Sequence, residues 1–186
     1  MNKYKNKPKR IYLDDHYYFV TVKTQLNKPI FKNHHNAKFF SLALMFLKNR
    51  GDFELAAGVL LPDHFHLLLL PIKKNISAIM HDLKSYTSQQ INNQRRGILA
   101  SPEQEGETGK GETGKGEAGS LTYGGKVELP SVWQRSFYYH IITTDLDFEN
   151  HYNYIVYNPQ KHGYVSNYDD WPWLWYKFFN NLRVNY

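Results

Sequence analysis

Two short apolar runs, "DFELAAGVLLP" (52–62) and "HFHLLLLP" (64–71), stand on either side of a single turn pair, Pro62-Asp63. Each run reads as a β-strand, and proline followed by aspartate is turn chemistry. The second strand interrupts its leucines with two histidines. Successive side chains of a strand point to opposite faces, so His64 and His66 share one face while Phe65 takes the other. Two neutral imidazoles on one face can grip a single cation; they can also be ordinary polar residues at the wet end of a strand.

The neighbouring sequence supplies a framework around this pair. "HYYFVTVKTQ" (16–25) alternates and is rich in β-formers, which predicts a first strand. "NAKFFSLALMFLKNRG" (36–51) places Phe39, Ala43, Phe46 and Leu47 at helical spacing, with Gly51 as the helix stop. "NISAIMHDLKSYTSQQINNQ" (75–94) predicts a second helix with Ile76, Ile79, Met80 and Leu83 as its buried stripe and Lys84 and Ser88 on a wetter side. "SVWQRSFYYHIIT" (131–143) reads as a strand. "TDLDFENHYNYIVYNP" (144–159) reads as a helix with Thr144 or Asp145 as N-cap and Pro159 as stop. The order β-α-β-β-α-β-α predicts an α+β sandwich with a mainly antiparallel sheet and helices packed on it. A tail rich in aromatic residues, from about 166 to 186, is expected to pack against this body.

At 186 residues, with 41% hydrophobic content, the chain suits one domain with a real core. It has no cysteine, which excludes disulfides, thiolate metal sites and a cysteine nucleophile, and fits a reducing cytosol. The basic start "MNKYKNKPKR" lacks the apolar stretch of a secretion signal. The net charge of +6 is unevenly placed: residues 101–128 carry six Glu against three Lys, so the remainder carries +9. A basic body with many tyrosines and tryptophans suits a nucleic-acid partner, with cations on phosphates and rings under bases.

The segment at about 101–129 breaks the pattern. "GETGK" occurs at 106–110 and 111–115, followed by "GEAGS" at 116–120. Short charged glycine-rich repeats cannot bury enough surface to order themselves, so a flexible insertion is expected. "GKGETGKG" (109–116) nearly matches a phosphate-binding loop, but Gly116 stands where Ser or Thr is needed and no strand precedes it. That motif is rejected.

On the 144–158 helix, Asp147, His151, Tyr154 and Asn158 are spaced to form one polar ridge, while Phe148, Tyr152 and Ile155 form the apolar stripe beside it. Tyr154 could serve as a nucleophile toward phosphorus if a cation held by His64 and His66 polarised the phosphate, and Asn158 could add an oxygen ligand. Two nitrogens and an oxygen with open positions suit Mg²⁺ or Mn²⁺. No residue is clearly the general base for Tyr154; His151, one turn before it, is a candidate by spacing only, and an ordinary surface histidine is the favoured reading of that position. A histidine-triad hydrolase would need another histidine at position 68, which is Leu68.

"LPDHFHLLLLP", "WQRSFYYHII" and "HYNYIVYNPQKHGYV" together resemble the single-tyrosine HUH transposases, in particular the REP-associated tyrosine transposases, from about residue 10 to about 175. The resemblance implies a ferredoxin-like (RRM-like) fold in a single domain and a bacterial cytoplasmic, nucleoid-associated protein. It implies that Tyr154 attacks single-stranded DNA at hairpin-bearing sites and leaves a 5′-phosphotyrosine, with His64, His66 and Asn158 holding Mg²⁺ or Mn²⁺. Arg135, Lys161, His162 and Lys84 are the DNA-binding candidates; Trp133 suits the core at least as well as DNA. A homodimer is one possible assembly. The competing reading is a non-cleaving DNA- or RNA-hairpin binding module on the same scaffold. Because the repeat segment is acidic, deletion of residues 104–120 is expected to leave DNA cleavage intact, which a strand-cleavage assay on the shortened protein checks.

Overall fold

The strand carrying the histidine pair, β3 (His64–Pro71), lies at the centre of a five-stranded antiparallel sheet. The computed structural model describes residues 11–100 and 129–177. β1 (Tyr18–Lys23) and β2 (Phe53–Leu60) flank β3, β4 (Tyr138–Ile141) pairs with β1, and β5 (Leu174–Tyr176) pairs with β2, giving the order β4-β1-β3-β2-β5. Between the strands run α1 (His34–Asn49), α2 (Ile76–Ala100), α3 (Asp145–Val156) and the one-turn α4 (Asn158–Lys161). The first four strands and their two crossover helices have the connectivity of a ferredoxin-like α+β sandwich, as expected.

The pleat of β3 builds two cores. Phe65, Leu67 and Leu69 point toward α1 and α2, where they meet Phe40, Leu44, Ile79, Met80 and Leu83. Leu68 points the other way and joins Phe19, Ala57, Val59, Tyr152 and Ile155 under α3. Phe65 is fully buried, with its ring 4.7 Å from Phe40 and 5.4 Å from Trp133. Trp133 is therefore core, anchored also against Phe31 at 5.1 Å.

Several elements differ from their sequence-based outlines for identifiable reasons. The segment 131–143 is a strand only over Tyr138–Ile141. Trp133 bridges Thr24 and Tyr138 pairs with Thr21, three steps on β1 against five on its partner, so two extra residues must loop out. Arg135 and Ser136 are exposed there. On α1 the buried stripe is Ala37, Phe40, Ala43, Leu44 and Leu47. Phe46 is exposed and lies under the Arg50 guanidinium, 5.3 Å from the ring centroid. Gly51, at φ 78°, takes the left-handed turn that ends the helix. Pro159 does not end the chain's helical course: α3 stops at Val156, and Pro159 sits in the first turn of α4, where no backbone N–H is required.

The aromatic tail supplies an additional strand. Leu174, Trp175 and Tyr176 pair with Val59, Gly58 and Ala57, and Trp171 Nε1 donates to the Leu60 carbonyl at 2.9 Å. The repeat insertion lies outside the described residues. Among the described residues no helix is long and apolar enough to cross a membrane. Because Phe65 fills the centre of the larger core, Phe65→Ala should lower unfolding free energy by about 3–5 kcal/mol, read from denaturant melts.

Candidate active site

The α3-facing row of β3 begins with the two histidines. His66 lies directly opposite Thr21 in the β1–β3 register, and its Nδ1 is 2.8 Å from the Thr21 hydroxyl oxygen. Its ring stacks on Phe19, with centroids 5.3 Å apart, and meets the ring of Tyr154 edge-on at 5.2 Å. His66 is buried, and its Nε2 has no hydrogen-bond partner in the protein. Burial, followed by the nearby charges of His64, His162 and Lys23, pushes its pKa down to about 3. At neutral pH it is an uncharged imidazole.

His64 starts the strand and is half-buried. Its ring stands 4.9 Å from that of His66, nearly perpendicular, and its Nδ1 is 2.6 Å from the Asp63 carboxylate. Tyr154 projects from the last turns of α3 and is 41% exposed, so a large substrate can reach it. The ammonium of Lys161, on α4, lies 5.7 Å over the Tyr154 ring. Asn158 opens α4, is fully buried, and leaves both amide atoms without a partner in the protein.

A buried polar atom without a partner costs roughly 1–3 kcal/mol. The unpartnered atoms here include an imidazole nitrogen and an amide oxygen, both cation-ligand types. The side chains present therefore fit a divalent cation. The fit rests on the chemistry and burial of the donors.

The other DNA-binding candidates fall into two groups. Lys161 lies over the Tyr154 ring, and His162 follows it at the end of α4, so both belong to the α3–α4 side of the sheet. Lys84 and Arg135 line a separate cavity of about 240 Å³ with Met80 and Phe137. The Lys84 ammonium donates to the Gln134 and Arg135 carbonyls at 2.7 and 3.2 Å, which ties α2 to the segment before β4. α2 packs on the sheet face opposite the histidines.

Several neighbours were missed from sequence. Phe19, Thr21 and Lys23 share a face by strand alternation, but only the β1–β3 pairing places Thr21 opposite His66 and Lys23 opposite His64. Asp63 reads as a turn residue by its pairing with Pro62, and its adjacency to His64 is the one local sign of a contact with that ring. A further cluster joins β4 to α3. His140, Asp147 and His151 bring potential ligand atoms within 4.8 Å of one another, a set that could hold a metal ion. Asp147 binds His140 Nε2 at 2.8 Å and His151 Nδ1 at 2.9 Å through its two carboxylate oxygens. His151 Nδ1 also faces the Asp147 backbone carbonyl at 2.9 Å. A carbonyl only accepts, so that nitrogen carries a proton and Asp147 acts as the bridge between the rings.

The depressed pKa of His66 has a stability signature. The unfolded chain takes up a proton near pH 6.5 while the folded chain does not until about pH 3, so stability falls as pH drops between those values. At pH 5 the loss from this group should be about 2 kcal/mol. Unfolding free energies at pH 7 and pH 5 measure it, and His66→Gln should remove that part of the difference.

Residues 12–105, just over half of the chain, match the family described as Transposase IS200 like. This stretch contains His64 and His66 and ends before Tyr154. The chain is 35% identical over 123 residues to a putative REP-associated tyrosine transposase of Haemophilus influenzae, an alignment covering 65% of this chain and 57% of that protein. It is 43% identical over 44 residues to the REP-associated tyrosine transposase of Escherichia coli K12, covering 24% of this chain and 27% of that one. A solved REP-associated tyrosine transposase, bound to a REP hairpin, superposes with a TM-score of 0.64 at 22% identity, over 91% of this chain and 82% of its own, and so shares the fold. The chain belongs to the IS200-like transposase family.

Proposed function

We propose that the chain is a metal-dependent endonuclease and strand-transferase acting on single-stranded DNA at hairpin-bearing sites. The observation that carries this reading is the contact between the solvent-reachable Tyr154 ring and the buried His66, whose Nε2 has no partner in the protein. A non-cleaving hairpin-binding module has no use for an unsatisfied imidazole beneath an accessible phenol. The relatives named REP-associated tyrosine transposases, one of them bound to a REP hairpin, support hairpin DNA as the substrate class.

In this reading His64 and His66, with the Asn158 amide oxygen, hold Mg²⁺ or Mn²⁺. Such an ion supplies Lewis acidity to a phosphate oxygen. The Tyr154 hydroxyl oxygen attacks phosphorus, the bond to the 3′ oxygen breaks, and the products are a 5′-phosphotyrosine and a free 3′-OH. Reversal by another 3′-OH rejoins strands. The phosphodiester bond energy is kept in the phosphotyrosine, so no nucleotide hydrolysis is required. Lys161 over the Tyr154 ring, with Lys23 at the end of β1, gives the site cations for the DNA backbone. His162 adds a donor for the same backbone, while Arg135, from the loop before β4, and Lys84 beside it lie by α2 on the opposite side of the sheet and would meet a second stretch of the DNA. Phe19 buttresses both the His66 and Tyr154 rings, at 5.3 and 5.8 Å, and so fixes the nucleophile relative to the ligands.

The test is denaturing electrophoresis after incubation with labelled single-stranded hairpin DNA and Mn²⁺. A covalent protein–DNA adduct is expected, and it should vanish in Tyr154→Phe and fall at least about 100-fold in His64→Ala. An adduct that persists in Tyr154→Phe rules out Tyr154 as nucleophile. Hairpin binding with no adduct across a panel of flanking sequences favours the binding module.

A further inference from the structure

We propose that Asp63 and Thr21 are positioning residues that hold His64 and His66 in one tautomer, with the proton on Nδ1 and the lone pair of Nε2 left for the cation. The proposal rests on the reading of the two histidines as cation ligands. An imidazole can bind a cation through one nitrogen only if its proton resides on the other, and an acceptor beside that second nitrogen fixes the choice. Both rings have a group at Nδ1 that can accept: the Asp63 carboxylate 2.6 Å from His64, which can only accept, and the Thr21 hydroxyl oxygen 2.8 Å from His66, which can accept or donate according to the tautomer. A carboxylate cannot donate, so the His64 contact requires Nδ1–H. At His66 the partnerless nitrogen is Nε2, the one this tautomer leaves open.

The two acceptors stand on the same rigid support. Thr21 lies within β1, directly across from His66. Asp63 lies in the turn before β3, and that turn is fastened by main-chain bonds. Its carbonyl accepts from Thr24 N–H at 2.8 Å, the Pro62 carbonyl accepts from Phe31 N–H at 3.0 Å, and Leu61 N–H donates to the His64 carbonyl at 2.8 Å. Thr24 is itself fully buried, with its hydroxyl donated to the Lys28 carbonyl. β1 therefore orients the His66 ring through Thr21, and the segment just after β1 orients the His64 ring through a turn pinned by Thr24 and Phe31.

The two contacts differ in chemistry, and this makes the proposal asymmetric. A charged acceptor raises the electron density of the imidazole more than a hydroxyl does, so His64 is the stronger donor and depends more on its partner. The alternative is that Asp63 only shapes the turn, with its carboxylate lying against His64 as a half-buried contact of little consequence. The two accounts differ in what happens when the carboxylate is replaced while the turn is kept.

Two measurements decide between them. The first needs no metal: nitrogen NMR of the histidine side chains at pH 8 reads the tautomer directly. In the wild-type protein both His64 and His66 should be Nδ1–H; in Asp63→Ala the His64 ring should become a mixture, and in Thr21→Val the His66 ring should do so. Asp63→Asn and Thr21→Ser, which keep an oxygen acceptor and the local backbone chemistry, should retain the wild-type tautomers. The second is Mn²⁺ affinity by electron paramagnetic resonance titration without DNA. Asp63→Ala should bind about 10–100-fold more weakly, Asp63→Asn should fall between it and wild type, and Thr21→Val should weaken binding less than Asp63→Ala. An Nε2–H tautomer in the wild-type protein, or unchanged tautomers and Mn²⁺ affinity in Asp63→Ala, overturns the proposal. Wild-type tautomers as stated but Mn²⁺ binding indifferent to His64→Ala defeats the cation-site reading itself, and the proposal with it.

Discussion

The antiparallel pairing of β1 with β3 is the constraint on which the site depends. It sets Thr21 opposite His66 and Lys23 opposite His64, and it puts Phe19 beneath the rings of His66, His151 and Tyr154. A one-residue slip in this register would turn the histidines toward the larger core and bury two polar rings among leucines. That slip is blocked from both sides, because Phe65, Leu67 and Leu69 already fill one core and Leu68 the other. The apolar residues thus specify the register, and the register specifies the chemistry.

The framework was legible in sequence wherever one periodicity ruled. The β2–β3 pair, both crossover helices and the buried stripe Ile76, Ile79, Met80 and Leu83 could be read from spacing, because each answers to a single buried face. Phe46 could not, since its helical spacing is equally good for a ring that lies at the surface under the Arg50 guanidinium. The β4 segment was overextended because an alternating aromatic run says nothing about a partner with fewer residues between its pairing points. β5 was hidden among tryptophans whose pattern suits a packed tail as well as a strand.

For the site, the histidine pair and the Asp147–His151–Tyr154 ridge were visible in local spacing. Their partners were not. Thr21 lies 45 residues from His66 in sequence, and nothing local marks a threonine in a β-rich run as the acceptor for a particular imidazole. Lys84 has contacts that local spacing does not show. A lysine on the wet side of a helix invites a phosphate, yet its ammonium is engaged by two backbone carbonyls that a linear reading does not bring near it. Interactions of this kind arise from topology, and they appear only once the strand order is known.

The end of α2 and the approach to β4 have a consequence for how this fold changes length. Arg95 Nη1 donates to the Pro130 carbonyl at 3.3 Å, which fastens the two chain directions together beside α2. The sheet therefore responds to the spacing of those two points and hardly at all to the amount of chain strung between Ala100 and Leu129. Doubling such a span costs only about 0.6 kcal/mol of closure entropy. The neck is thus a natural port, where a gene can gain or lose coding repeats far from the histidine-bearing face on the other side of the sheet.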